Sequence, residues 1–88
     1  MIFEMAETTA ERLAAFLEAE YMKRFNERGR GYTLSQFAAD LGLPPSVLNR
    51  LMNLTDATRD RTIALETAQK LVTVFGADVL RVLGLWPG

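Results

Sequence analysis

The 88-residue chain contains neither cysteine nor histidine. Without thiols it has no disulfide staple and no thiolate nucleophile. Without imidazole it lacks a common zinc and haem ligand and the usual base for a serine nucleophile. Only carboxylate, Lys and Tyr chemistry remains. Long apolar runs are missing too: stretches such as Leu71-Val72, Val74-Phe75 and Val82-Leu83 fall far short of the roughly 20 residues that span a bilayer. Met1-Ile2-Phe3-Glu4-Met5 carries an acid where a secretory signal carries bases, and no long apolar stretch follows. These absences predict a cytoplasmic chain with no membrane contact, no metal and no cofactor. A chain this short supports one core, so residues 1–88 are read as a single domain stabilised by packing alone.

A net charge of either sign is also lacking, with ten basic and eleven acidic residues giving −1 and a pI near 5.3. The total conceals two unlike ends. Residues 1–22 hold Glu4, Glu7, Glu11, Glu18 and Glu20 against Arg12, whereas the remainder holds nine bases and six acids. The densest basic group is Lys23, Arg24, Arg28 and Arg30, with only Glu27 among them.

What is present is helical periodicity. Thr8-Thr9-Ala10-Glu11 has the form of a capping box, followed by Ala10, Leu13, Ala14, Leu17, Tyr21 and Phe25 at three- and four-residue steps. This predicts a long first helix from about Thr9 to about Arg28, closed by Gly29 and Gly31. Thr33-Leu34-Ser35-Gln36 is a second capping box, opening a short helix with Phe37, Ala38 and Leu41 on one face and Gly42 as its stop. Pro45 suits the first turn of a third helix. Val47, Leu48, Leu51 and Leu54 form its apolar side, and Ser46, Asn49, Arg50 and Asn53 share the other. Residues 55–62 read as a polar loop. Leu65, Ala68, Leu71, Val72 and Phe75 mark a fourth helix ended by Gly76, and Asp78 opens a fifth with Val79, Leu80, Val82 and Leu83. No segment shows a strand alternation. The expected fold is all-α, a compact five-helix bundle with an extended first helix.

Two short helices joined by a tight turn, the second with a polar face, describe a helix-turn-helix. A small residue allows close approach, a glycine four positions on permits the turn, and apolar residues six and nine further on fix the crossing. Ala38, Gly42, Leu48 and Leu51 supply all four, with Phe37, Leu41 and Leu43 beside them. Here the chain resembles the Cro and lambda-repressor-like (XRE-type) family of five-helix DNA-binding domains. The resemblance runs from about Lys23 to about Leu83, with the motif at about 34–53. Residues 33–43 are similar to the family's first motif helix and turn, 46–53 to its recognition helix, 65–76 to its fourth helix and 78–83 to its fifth. The chain departs from the family's pattern in three ways. Leu34 stands where a phosphate-reaching glutamine is frequent, Pro44-Pro45 opens the recognition helix, and the connection from Leu54 to Ile63 is long.

The resemblance implies a sequence-specific transcriptional regulator that binds double-stranded DNA as a homodimer on a two-fold operator, its third helix in the major groove. Ser46, Asn49, Arg50 and Asn53 would then meet base edges, with Arg50 suited to guanine and Asn49 or Asn53 to adenine. Arg28, Arg30, Gln36, Arg59 and Arg61 would hold phosphates. Arg59 and Arg61 fit equally well as loop charges paired with Asp56 and Asp60, and taken alone Ser, Asn and Arg on an exposed helix are ordinary solvated residues. Candidate dimer contacts are Leu80, Leu83, Leu85 and Trp86, with Ile2, Phe3 and Met5 at the other end, although Trp86 fits equally well as a cover for the chain's own core. Residues 1–7 read as a flexible arm or a dimer contact.

An acidic pI runs against the usual footprint of a DNA-binding domain. The acidic and basic centres of the first helix, however, lie about fourteen residues apart, roughly 20 Å, which exceeds two Debye lengths at physiological salt. A second reading is therefore a helix-turn-helix protein-interaction module, antitoxin-like or polymerase-binding, with little DNA binding. An enzyme is disfavoured: Glu18 with Glu20 and Asp56 with Asp60 have no geometry that spacing establishes, and Arg28-Gly29-Arg30-Gly31 lacks the Lys-Ser/Thr of a phosphate loop.

Overall fold

The computed structural model describes residues 2–52 and 62–84. In chain order the elements are β1 (Ile2–Glu4), α1 (Glu7–Arg28), α2 (Leu34–Leu41), α3 (Pro45–Met52), β2 (Thr62–Ala64), α4 (Leu65–Phe75) and α5 (Ala77–Val82). The five helices form the all-α bundle that the periodicity predicts. α1 packs against α3 and α5, α2 against α3 and α4, and α4 against α5.

Its core is drawn from every helix. Leu13, Ala14 and Leu17 of α1, Phe37 and Ala38 of α2, Leu48 of α3, Leu71 of α4 and Val79 of α5 are all buried. Their three- and four-residue spacing puts them on one stripe of each helix, so apolar area leaves water only when the stripes face one another. Phe75 sits at the core's edge, half-buried, its ring edge-on to Phe16 with centroids 5.1 Å apart.

Three expectations are corrected. First, α1 begins earlier than the Thr8 capping box allows. Ala6 occupies the cap position without a side-chain bond, and its carbonyl accepts the Ala10 N–H at 2.9 Å. Thr8 and Thr9 thus lie inside the first turn, where Glu7 supplies the acid that a helix start favours. At the other end Gly29 closes α1 with φ 89°, while Gly31 does not take a positive φ. Second, the chain has a strand pair. β1 and β2 run antiparallel, with Ile2 opposite Ala64, Phe3 opposite Ile63 and Glu4 opposite Thr62. Thr62 and Ile63, read as loop, are strand residues, and Ile63 is buried. Third, residues 2–4 are held in that pair rather than forming a flexible arm, and Met5 is buried in the core. Three-residue strands are too short for an alternation to register, so only the β-branched Ile2, Thr62 and Ile63 hinted at them.

Candidate nucleic-acid interface

α2 starts where its sequence dictates. The Thr33 hydroxyl accepts the Gln36 N–H at 3.2 Å, and the Gln36 Oε1 accepts the Thr33 N–H at 3.0 Å, so both halves of the capping box are made. At its end Gly42 is left-handed, φ 71° and ψ 27°. The Leu43 N–H returns to the Ala38 carbonyl at 2.9 Å, which closes the turn. A Cβ at Gly42 would meet only the Lys70 side chain at 3.8 Å, an ordinary contact. The glycine is therefore required for its backbone angle and not for space.

Pro44 and Pro45 start α3 cleanly. The Pro44 carbonyl accepts the N–H groups of Val47 at 3.1 Å and Leu48 at 3.2 Å, while Pro45 occupies the first helical position, where no N–H is needed. Leu48 and Leu51 are buried and Val47 half-buried, so α3 is anchored by one face. Ser46, Asn49 and Arg50 are exposed on the helix. Asn53, Leu54, Arg59, Arg61, Leu85 and Trp86 lie outside the described residues.

A neighbour that sequence reasoning missed flanks the α3 face. A pocket of about 170 Å³ is bounded by Ile2 of β1, Thr62, Ile63 and Ala64 of β2, Val47, Arg50 and Leu51 of α3, and Thr67 of α4. The ribbon thus stands directly beside α3, with Ile2 68% exposed at its margin. Leu83 packs against the core beside Met5, so these two candidate dimer residues serve the chain's own packing, and Leu80 is half-buried.

The basic cluster is partly neutralised within the fold. Arg24 bonds Glu20 at 3.0 Å, Lys23 lies 3.7 Å from the same carboxylate, and Arg28 bonds Asp40 at 3.0 Å. Counting Glu20 and Asp40, a group that reads as +3 along the sequence becomes +1 in space. Arg24 is also turned inward, its guanidinium 5.4 Å from the Phe37 ring centroid and 5.5 Å from that of Phe75. Arg30 is exposed and, among the described residues, carries no ion pair. Gln36 is exposed, with its amide oxygen committed to the cap.

Arg28 belongs to a second cluster that spacing did not reveal. Tyr32, in the connection before α2, is buried, stacks on Tyr21 with centroids 5.8 Å apart and donates its hydroxyl to the Asp40 Oδ2 at 2.7 Å. Arg28 reaches the same oxygen and lies over the Tyr32 ring at 5.1 Å. Burial, and then the hydrogen bond to Asp40, push the Tyr32 hydroxyl up to about 12. The only sequence signal for this was an aromatic residue between Gly31 and a cap.

Among the described residues no group of acidic side chains is placed to hold a metal ion, and no helix is long and apolar enough to cross a membrane. Comparison with protein-family models, with curated proteins and with solved structures found no match.

Proposed function

We propose that this chain is a sequence-specific DNA-binding transcriptional regulator, acting as a homodimer on a two-fold operator with α3 in the major groove. The observation that carries the reading is the α2-turn-α3 unit: a left-handed Gly42 between two short helices, Leu48 and Leu51 buried beneath, and Ser46, Asn49 and Arg50 exposed above. A helix fixed by one face and polar on the other is the form that presents side chains to base edges. Base contacts are assigned to Ser46, Asn49, Arg50 and Asn53, and phosphate contacts to Arg28, Arg30, Gln36, Arg59 and Arg61.

Selection of bound duplexes from a random pool tests this directly. Recovery of a two-fold consensus supports it, and loss of all salt-dependent binding at every sequence overturns it. On the selected site, Asn49→Ala and Arg50→Ala should each cost about 1–3 kcal/mol of binding and relax one base position, with affinities compared per folded molecule.

The neutralisation of Lys23, Arg24 and Arg28 by Glu20 and Asp40 favours a second reading, a protein-interaction module with weak DNA binding. A folded Arg50→Ala variant that keeps full activity in cells would select that reading over the first.

A further inference from the structure

We propose that the shallow cleft between the end of α1 and α2 is a phosphate-binding subsite whose anion is supplied from within the chain by Asp40. The proposal deepens the DNA-binding reading and rests on it.

The cleft is lined by Arg28, Gly31, Tyr32, Gln36, Ala39 and Asp40. Its donors are those of a phosphate site. Arg28 brings a guanidinium on a side chain 55% exposed. Gln36 stands one helical turn before Asp40 on the same face of α2, and because its Oε1 accepts the Thr33 N–H, the end of the amide left to donate is the NH2. At Gly31 a Cβ would meet nothing within 4 Å, so the backbone there is open to an approaching ligand. Arg28 and the Tyr32 hydroxyl converge on a single oxygen, the Asp40 Oδ2, at 3.0 and 2.7 Å. One carboxylate oxygen thus receives two donors, as a phosphate oxygen would, and Arg28 engages it through Nη1 alone.

Asp40 is poorly placed for any local reason. It lies in the last turn of α2, where the carbonyl ends carry partial negative charge and an acid is disfavoured. Its contacts with Arg28 and Tyr32 account for its presence. An exposed ion pair of this kind is weak, so a phosphate held at the cleft by other contacts can take Arg28 from it. The carboxylate therefore lowers the affinity of the cleft for phosphate in general, and the arginine becomes available only where the rest of the interface already fits.

The test is fluorescence anisotropy of a fluorescein-labelled random-sequence duplex over a salt series, with the wild type, Asp40→Asn, and Asp40→Asn combined with Arg28→Gln. The amide that Asp40→Asn introduces still offers an oxygen to Tyr32, so the fold is kept; thermal melting checks this, and Asp40→Ser serves in its place if melting is early. Asp40→Asn should bind about fivefold tighter, and its log K should fall more steeply with log salt by about 0.9, one additional phosphate contact. Adding Arg28→Gln should return both to wild-type values. Unchanged affinity and slope in a folded variant, or a gain that survives Arg28→Gln, overturns the proposal while leaving the DNA-binding reading intact. Failure of the wild type and the variant alike to bind any duplex overturns both.

Discussion

Arg24 and Tyr32 show how far a residue's role departs from its type. Arg24 belongs to the basic cluster along the sequence, but its guanidinium lies between the rings of Phe37 and Phe75 and bonds Glu20. It joins α1, α2 and α4. Arg24→Ala should therefore lower unfolding free energy by about 1–2 kcal/mol in urea titrations; an unchanged unfolding free energy would show that the guanidinium does not brace the three helices. Tyr32 gives a pH signature. Its hydroxyl is raised from 10.0 to about 12 in the folded protein, first by burial and then by Asp40. The folded state thus holds this proton more tightly than the unfolded state, so the contribution is full below pH 10 and is lost as pH rises through 12. Between those values the wild-type melting temperature should fall more steeply than that of Tyr32→Phe, which has no proton to lose. Parallel curves would show that the phenol is not so held.

At the scale of elements, the helices were legible and their ends were not uniformly so. The capping box at Thr33 and Gln36 is made in full, and the stripes of α2 and α3 are buried as their spacing requires. The box at Thr8 is not made, because α1 starts two residues earlier, at Glu7, and Thr8 lies inside its first turn. Two threonines with the same local pattern therefore have different worth. Thr33→Ala should cost about 1 kcal/mol, whereas Thr8→Ala, exposed inside the first turn, should stay within about 0.5 kcal/mol. Equal losses in chemical denaturation would contradict this assignment. On α3, exposed Ser46, Asn49 and Arg50 were legible from the helical period alone, since a buried Leu48 and Leu51 leave them no other side. What flanks them was not. The ribbon beside α3 joins residues some sixty positions apart in sequence, and nothing within either three-residue segment specifies the other.

For the whole molecule, that ribbon ties the start of the chain to the segment entering α4. Ile63 is buried against the core, in a strand that sequence reading treats as loop. Ile63→Ala should cost about 2–5 kcal/mol, far more than a surface loop residue; a change within about 0.5 kcal/mol would remove the ribbon from the account of stability. Charge is likewise a property of the whole. The chain is acidic in sum and divided along its length, and folding then pairs much of its basic group with Glu20 and Asp40. The sequence by itself determined the helices, the left-handed turn at Gly42 and the polar face of α3, because each depends on steps of at most five positions along the chain and on the bonds that close one turn. Only the tertiary structure decided that Arg24 points inward, that Asp40 holds Arg28 and Tyr32, and that β1 stands beside α3. Those contacts join segments whose meeting depends on how the apolar stripes pack, and no local period encodes that packing.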